Sequence, residues 1–242
     1  MRRAAAALVG LVATLVITAT GLGASISFPN FSSVAGLSIN GDSAQVGNEL
    51  RLTEAQSDQV GSVFTKRALI NPAKSFKSKF KARISAPDEF NVGDGMTFLL
   101  QAGPKDAIGP GVGGEDLGYA GITPSLAIEL DIYQNFDHGD PNSNHIAIHL
   151  NGDSSNAEVS ATPVFNLVGG TTTVWVEYSA SKHKLKVFAA KSNSKPSNPL
   201  LSYTKKLTTL FPGADLRAGF TAATGSNVAE QSILSWSVKQ GH

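Results

Sequence analysis

Cysteine is absent from the 242 residues, which excludes both a disulfide framework and a thiolate metal site. A secreted domain without disulfides must stand on a large apolar core, on bound metal, or on both. A dominant charge of one sign is also missing, because 20 Lys and Arg stand against 19 Asp and Glu. That balance gives no overall basic footprint for nucleic acid and no acidic tail. Long apolar runs are confined to the start of the chain. Arg2 and Arg3 precede the apolar stretch 4–17, and small residues follow at Ala19, Gly21, Gly23 and Ala24. This is the three-part pattern of a secretory signal peptide over residues 1–24, with cleavage around Gly21 to Ala24 and an extracellular destination. An uncleaved membrane anchor is the alternative, since the uncharged stretch is long enough to span. Cleavage would leave 18 basic against 19 acidic residues, and no second stretch of spanning length follows.

What remains, residues 25–242, reads as one domain. Hydrophobic residues make up 41% and charged residues 16% of the chain, so a packed core is feasible and disorder is excluded. In Phe76-Lys77-Ser78-Lys79-Phe80-Lys81-Ala82-Arg83-Ile84, apolar or small residues take one parity and Lys or Arg most of the other. That two-residue period belongs to a half-buried strand; its basic row can be read as a polyanion-binding stripe, but a solvated face or a protected edge is the better reading. Further strands are expected at 95–102, 126–133, 145–150, 172–179, 185–190, 217–223 and 233–238, separated by turns rich in Gly, Pro, Asn, Asp and Ser. Residues 179–184 suit a hairpin connection, and 207–211 a brief helical turn. Many short strands at this spacing predict an all-β sandwich or barrel.

One stretch, 129–145, concentrates the liganding atoms. On a strand Glu129, Asp131 and Tyr133 share a face. A loop bearing Asn135 and Asp140 follows, and His145 opens the next strand. Carboxylates gathered without a cation suffer like-charge repulsion and desolvation, which a divalent ion removes. Oxygen ligands suit Ca2+, whereas a carboxylate and imidazole set suits Mn2+ or a similar transition ion. Both sets are present, which points to two adjacent cations sharing carboxylates.

The segment Glu129-x-Asp131-x-Tyr133-x-Asn135, then Asp140-Pro141, then His145-Ile146-Ala147-Ile148 resembles the legume-type (L-type) lectins without a gap. Ala147 replaces the family's usual glycine. Weaker similarities run in order along the chain: 37–44, 50–53, Gly93-Asp94-Gly95, 174–178, 219–225 and 234–237. The glycine loop Leu117-Gly118-Tyr119 is closer to the form in bacterial relatives. The resemblance implies a concanavalin-like β-sandwich, or jelly roll, of antiparallel sheets with very little helix. It implies that Glu129, Asp131, Asp140 and His145 hold the transition ion, and that Asp131, Asn135, Asp140 and the Tyr133 carbonyl hold calcium. It further implies a sugar site in which Asp94, after a cis peptide bond, accepts from two hydroxyls, Gly118 offers a backbone N–H, Asn135 donates its amide and Tyr133 stacks on the pyranose. The loop 225–231 corresponds to the variable specificity loop, with Ala229 and Glu230 as its contacts. The implied partners are glycans or glycoproteins, with self-association left open.

Two other function classes compete. The same sandwich hosts glycoside hydrolases, and Glu129-x-Asp131-x-x-Gln134 nearly reproduces a catalytic Glu-x-Asp-x-x-Glu. Gln134 cannot transfer a proton, however, and a retaining hydrolase needs two carboxyls. A structural or adhesive surface protein that lacks sugar binding is the other rival. The expectation is therefore a secreted, metal-dependent lectin without enzymatic activity.

Overall fold

The computed structural model describes residues 24–109 and 114–241; the expected signal segment 1–24 falls almost wholly outside them. The strands in chain order begin with β1 (Ser25–Phe28), β2 (Leu37–Gly41), β3 (Ala44–Val46), β4 (Glu49–Thr53) and β5 (Val60–Thr65). Next come β6 (Phe76–Ser85), β7 (Gly95–Gln101), β8 (Ser125–Asp131), β9 (His145–Leu150) and β10 (Val159–Ala161). The last are β11 (Thr171–Ser179), β12 (Lys184–Ala190), β13 (Leu201–Thr204), β14 (Arg217–Ala223) and β15 (Glu230–Gln240). Helix among the described residues is limited to the turn α1 (Leu207–Leu210) and two short 3-10 turns.

All pairings between named strands are antiparallel and form two sheets. A seven-stranded front sheet runs β10-β9-β8-β7-β14-β5-β2. An eight-stranded back sheet runs β13-β12-β11-β6-β15-β4-β3, with β1 also paired to β15. The all-β sandwich expected from the sequence is thus the observed fold. Residues 179–184 do connect a hairpin, since Ser179 pairs with Lys184.

The alternation seen in the sequence explains the packing. On β6, Phe76, Phe80, Ala82 and Ile84 point into the sandwich, while Lys77, Lys79, Lys81 and Arg83 face outward. From the front sheet Met96, Phe98, Leu126, Ile128, Ile146 and Phe220 meet them. At the centre the rings of Phe220 and Trp236 lie edge-on at 5.0 Å, and those of Phe80 and Phe220 at 5.1 Å, each pair adding about 1 kcal/mol beyond its burial. Trp236 Nε1 donates to Ser78 Oγ at 3.1 Å, so the buried indole N–H is satisfied.

Every residue of β8 and β9 is buried. Their even-numbered side chains enter the sandwich. The odd face of β8 is roofed by residues 114–122, where Leu117, Tyr119 and Ile122 form a second apolar cluster with Phe64, Leu99 and Ala127. This roof removes the polar side chains of β8 and β9 from water.

Candidate functional site

Glu129 and Asp131 on β8 lie beside Ala147 and His145 on β9 by strand register. One ligand atom each from Glu129, Asp131 and His145 falls within 4.8 Å of the others, all three being buried. His145 Nδ1 lies 2.8 Å from the Asn142 carbonyl, which only accepts, so Nδ1 carries the proton. The Nε2 lone pair is left facing Asp140, with Oδ1 at 3.5 Å. That is the tautomer a metal-binding histidine needs.

The loop after β8 is pinned by the same carboxylates. Asp131 Oδ1 accepts from the Tyr133 N–H at 2.8 Å, and Asp140 Oδ2 accepts from the Asn135 N–H at 2.7 Å. Burial pushes the Asp131 carboxyl well above its ordinary range, and the charges of Glu129 and Asp140 add to the rise. Burial likewise raises Asp140, opposed by the Asn135 N–H and by His145. Buried acids pushed up in this way are short of positive charge, so the donor set fits a divalent cation.

Glu129 has partners that the sequence did not announce. Tyr119 Oη donates to Oε1, and His149 Nε2 lies 2.9 Å from Oε2. Burial pulls His149 down, but its hydrogen bond to Glu129 and the charge of Glu129 outweigh that, and its pKa ends raised. Each Glu129 oxygen keeps a second lone pair for an ion. His149 was findable, because His145, Ala147 and His149 share the face that carries Glu129.

Asp94 stands beside this cluster. The Gly93–Asp94 peptide is cis, and the Asp94 carbonyl accepts from the Ile132 N–H at 2.9 Å. Its Oδ2 accepts from the Gly225 N–H at 2.6 Å. Burial lifts the Asp94 carboxyl to about 6; the Gly225 N–H opposes the shift and the charge of Glu115 adds to it. Glu115 in turn accepts from Asn135 Nδ2 at 3.4 Å, so one half-buried acid links the Asp94 and Asn135 regions. Tyr133 keeps 37% of its surface exposed.

Three expected contacts lie elsewhere. Gly118 has φ +71°, and a Cβ there would meet the Ala222 carbonyl at 3.0 Å, so this glycine serves a turn packed on β14. The glycine against Asp94 is Gly114, where a Cβ would sit 1.8 Å from Asp94 Oδ2. Ala229 is fully buried, with its carbonyl accepting from Thr53 Oγ1 at 3.0 Å. Glu230 begins β15 and pairs with Arg83 at 3.3 Å on the back sheet. From this loop it is Gly225 and Asn227 that reach the Gly93–Asp94 corner. Gln134, the would-be proton donor, instead donates from Nε2 to the Asp140 carbonyl at 3.1 Å.

The Legume lectin domain profile matches residues 24–242. The chain belongs to the legume lectin family. Over 208 residues it is 32% identical to an Arabidopsis thaliana protein named probable L-type lectin-domain containing receptor kinase I.2, covering 78% of this chain and 31% of that one. It is 34% identical over 151 residues to a lectin of Leucomphalos mildbraedii, covering 60% of each. Among solved structures, a Bauhinia forficata lectin in complex with GalNAc superposes with a TM-score of 0.76 at 24% identity, over 89% of this chain and 97% of that one. The legume lectin chain thus spans about a third of the length of its receptor-kinase relatives. The family and the fold together support a carbohydrate-binding domain.

Proposed function

We propose that this legume lectin is a secreted, non-enzymatic glycan-binding protein whose sugar site is organised by a calcium and a transition-metal ion. The convergence of buried Glu129, Asp131 and His145 within 4.8 Å, next to the half-satisfied carboxylate of Asp94, carries the proposal. Glu129, Asp131, Asp140 and His145 would hold manganese or a similar ion, and Asp131, Asn135, Asp140 and the Tyr133 carbonyl would hold calcium. Bound ions supply the positive charge that the buried carboxylates lack and tie the loop 132–140 to β8.

The chain's own residues then bind the sugar. Asp94 Oδ2 is occupied by the Gly225 N–H, and the remaining lone pairs of the carboxylate accept from two hydroxyls. Asn135 donates its amide, and the exposed ring of Tyr133 packs on the apolar face of the pyranose. The glycine beside Asp94, Gly114, keeps the carboxylate open to the ligand. Hydrolysis is disfavoured because Gln134 is committed to the Asp140 carbonyl and Glu129 to Tyr119 and His149, which leaves no acid/base pair.

Elemental analysis of protein purified without chelator tests the metal centre. The expected result is calcium and one transition metal, with a melting temperature that rises with free metal. Absence of both ions, with no thermal shift on adding them, would contradict the assignment.

A further inference from the structure

The outer face of the back sheet, opposite the Asp94 site, divides into two electrostatic halves. Around Arg83 charges are matched: Glu49 and Glu230 both bond its guanidinium, and Arg51 pairs with Glu54. Further along the same strand, Lys77, Lys79 and Lys81 point outward, about 7 Å apart at two-residue intervals. Lys79 and Lys81 have no acid as cross-strand neighbour, whereas Lys77 faces Glu177 on β11. Lys79 sits between Ser237 and Trp175, and Lys81 between Ser235 and Thr173. Lys77 lies directly opposite Lys239, a like-charge pair that costs stability. Beyond β11, Lys186 and Lys184 extend the patch. Among the described residues Glu177 is the acid that pairs within it, shared by Lys77 at 3.8 Å and Lys195 at 2.8 Å.

Two hollows lie in this half of the face. One of about 540 Å³ is lined by Ser75, Ser179 and four lysines, Lys77, Lys182, Lys184 and Lys186, with Glu177 and Tyr178. Another of about 300 Å³ sets Lys81 and Lys191 among the hydroxyls of Thr171, Ser192 and Ser235. An excess of ammonium groups on one rigid face raises the local positive potential, which attracts a polyanion.

We propose that this lysine half of the back sheet is a second binding face, for a linear acidic polysaccharide that carries uronate groups. Charge complementarity calls for a polyanion. Hydroxyls interleaved with the lysines suit a chain that alternates carboxylate and hydroxyl groups. A flat sheet suits an extended polymer. An anionic membrane fits less well, because the exposed large apolar residues Val46, Phe90, Tyr133, Phe136 and Val164 are all absent from the lysine strands. A nucleic acid strand would need free rings to stack on. Here Trp175 is only 8% exposed beneath Lys79, and Phe188 lies under Lys195 at 4.3 Å. The face is independent of the metal-organised site, so the protein would grip neutral glycans on one side and an acidic polymer on the other.

Isothermal titration of the full mature chain with sodium polygalacturonate tests this, using the neutral polymer dextran as control. Polygalacturonate should bind and dextran should not. The affinity should fall about tenfold or more between roughly 0.05 and 0.2 M salt, as released counterions require. The variant Lys77→Gln/Lys79→Gln/Lys81→Gln should lose most of the binding while its melting temperature stays at or above that of the parent. Lys184→Gln/Lys186→Gln on a different strand gives the same loss by a separate route should the triple variant fold poorly. Asp94→Ala and chelator should leave polygalacturonate binding unchanged, which separates this face from the sugar site. No binding by the parent, full binding by both lysine variants, or binding abolished by Asp94→Ala would overturn the proposal. Equal affinity for single-stranded DNA or for phosphatidylserine vesicles would overturn it as well, by showing an unselective polyanion surface.

Discussion

His149 Nε2 lies 2.9 Å from Glu129 Oε2, and the Asp153 carbonyl 2.8 Å from His149 Nδ1 obliges that nitrogen to donate. An imidazolium between these two acceptors satisfies both, so a side chain partly neutralises the buried carboxylate cluster from within. His149→Ala would leave Glu129 with Tyr119 alone. Breaking a buried pair costs about 3 kcal/mol or more, and the loss should be largest in chelator, where no ion offsets it. Melting curves with EDTA and with added calcium and manganese check this: the metal-induced gain should be greater in the variant than in the parent. Equal destabilisation in both conditions would show that His149 only fills space. The raised pKa of His149 adds a sign: the stabilisation from its charged form is complete below its ordinary value of 6.5 and fades as pH climbs through the higher folded-state value.

Asp94 works in the opposite functional direction. Its carboxyl is raised from 3.8 to about 6, so the folded protein favours the neutral acid. The stability that form brings is present below about 3.8 and lost as pH rises to about 6, a change on the order of 3 kcal/mol. Sugar hydroxyls donate to the ionised form, so glycan affinity should rise as pH passes through about 6. Asp94→Asn should remove that part of the stability slope and abolish sugar binding. Chemical denaturation and sugar titration between pH 4 and pH 8, in parent and variant, read both effects. A variant whose stability slope and sugar affinity match the parent's would refute the role given to Asp94.

Gly114→Ala isolates the approach to the same carboxylate. The new methyl would fall 1.8 Å from Asp94 Oδ2, so Asp94 must move from its position. Sugar affinity should drop by about tenfold or more, the loss of roughly one charged hydrogen bond, while metal content stays at the parent's level. Gly118→Ala should do the reverse. Its φ of +71° and its contact with the Ala222 carbonyl make the change a stability loss of about 1 kcal/mol or more. Calorimetry together with melting curves distinguishes the two, and a Gly114→Ala protein with undiminished affinity would remove that glycine from the site.

Much of this was legible in the sequence because the informative strands alternate. The spans of β9 and β14 coincide with the expected segments, and β6 differs by one residue at its end. Val60–Thr65 carries a weak strand signal because Gly61, a residue depleted in strands, interrupts a segment of only six residues. The short edges β3, β10 and β13 run three or four residues, too few to show one. Within the site, the carboxylates and His145 were readable from face and spacing. Gly114 was not, because several glycines crowd 109–118 and only the fold says which one touches Asp94. Nothing in the residues announces that β15 already starts at Glu230 or that Ala229, still in the loop, is buried beneath it.

Whether the glycan site depends on bound ions is read from a glycan array probed with the protein before and after EDTA. Binding to a restricted set of glycans is expected, with loss of every signal in chelator and recovery when calcium and manganese are restored. Signals that persist unchanged in EDTA, or an array with no bound glycan in the presence of both ions, would contradict it.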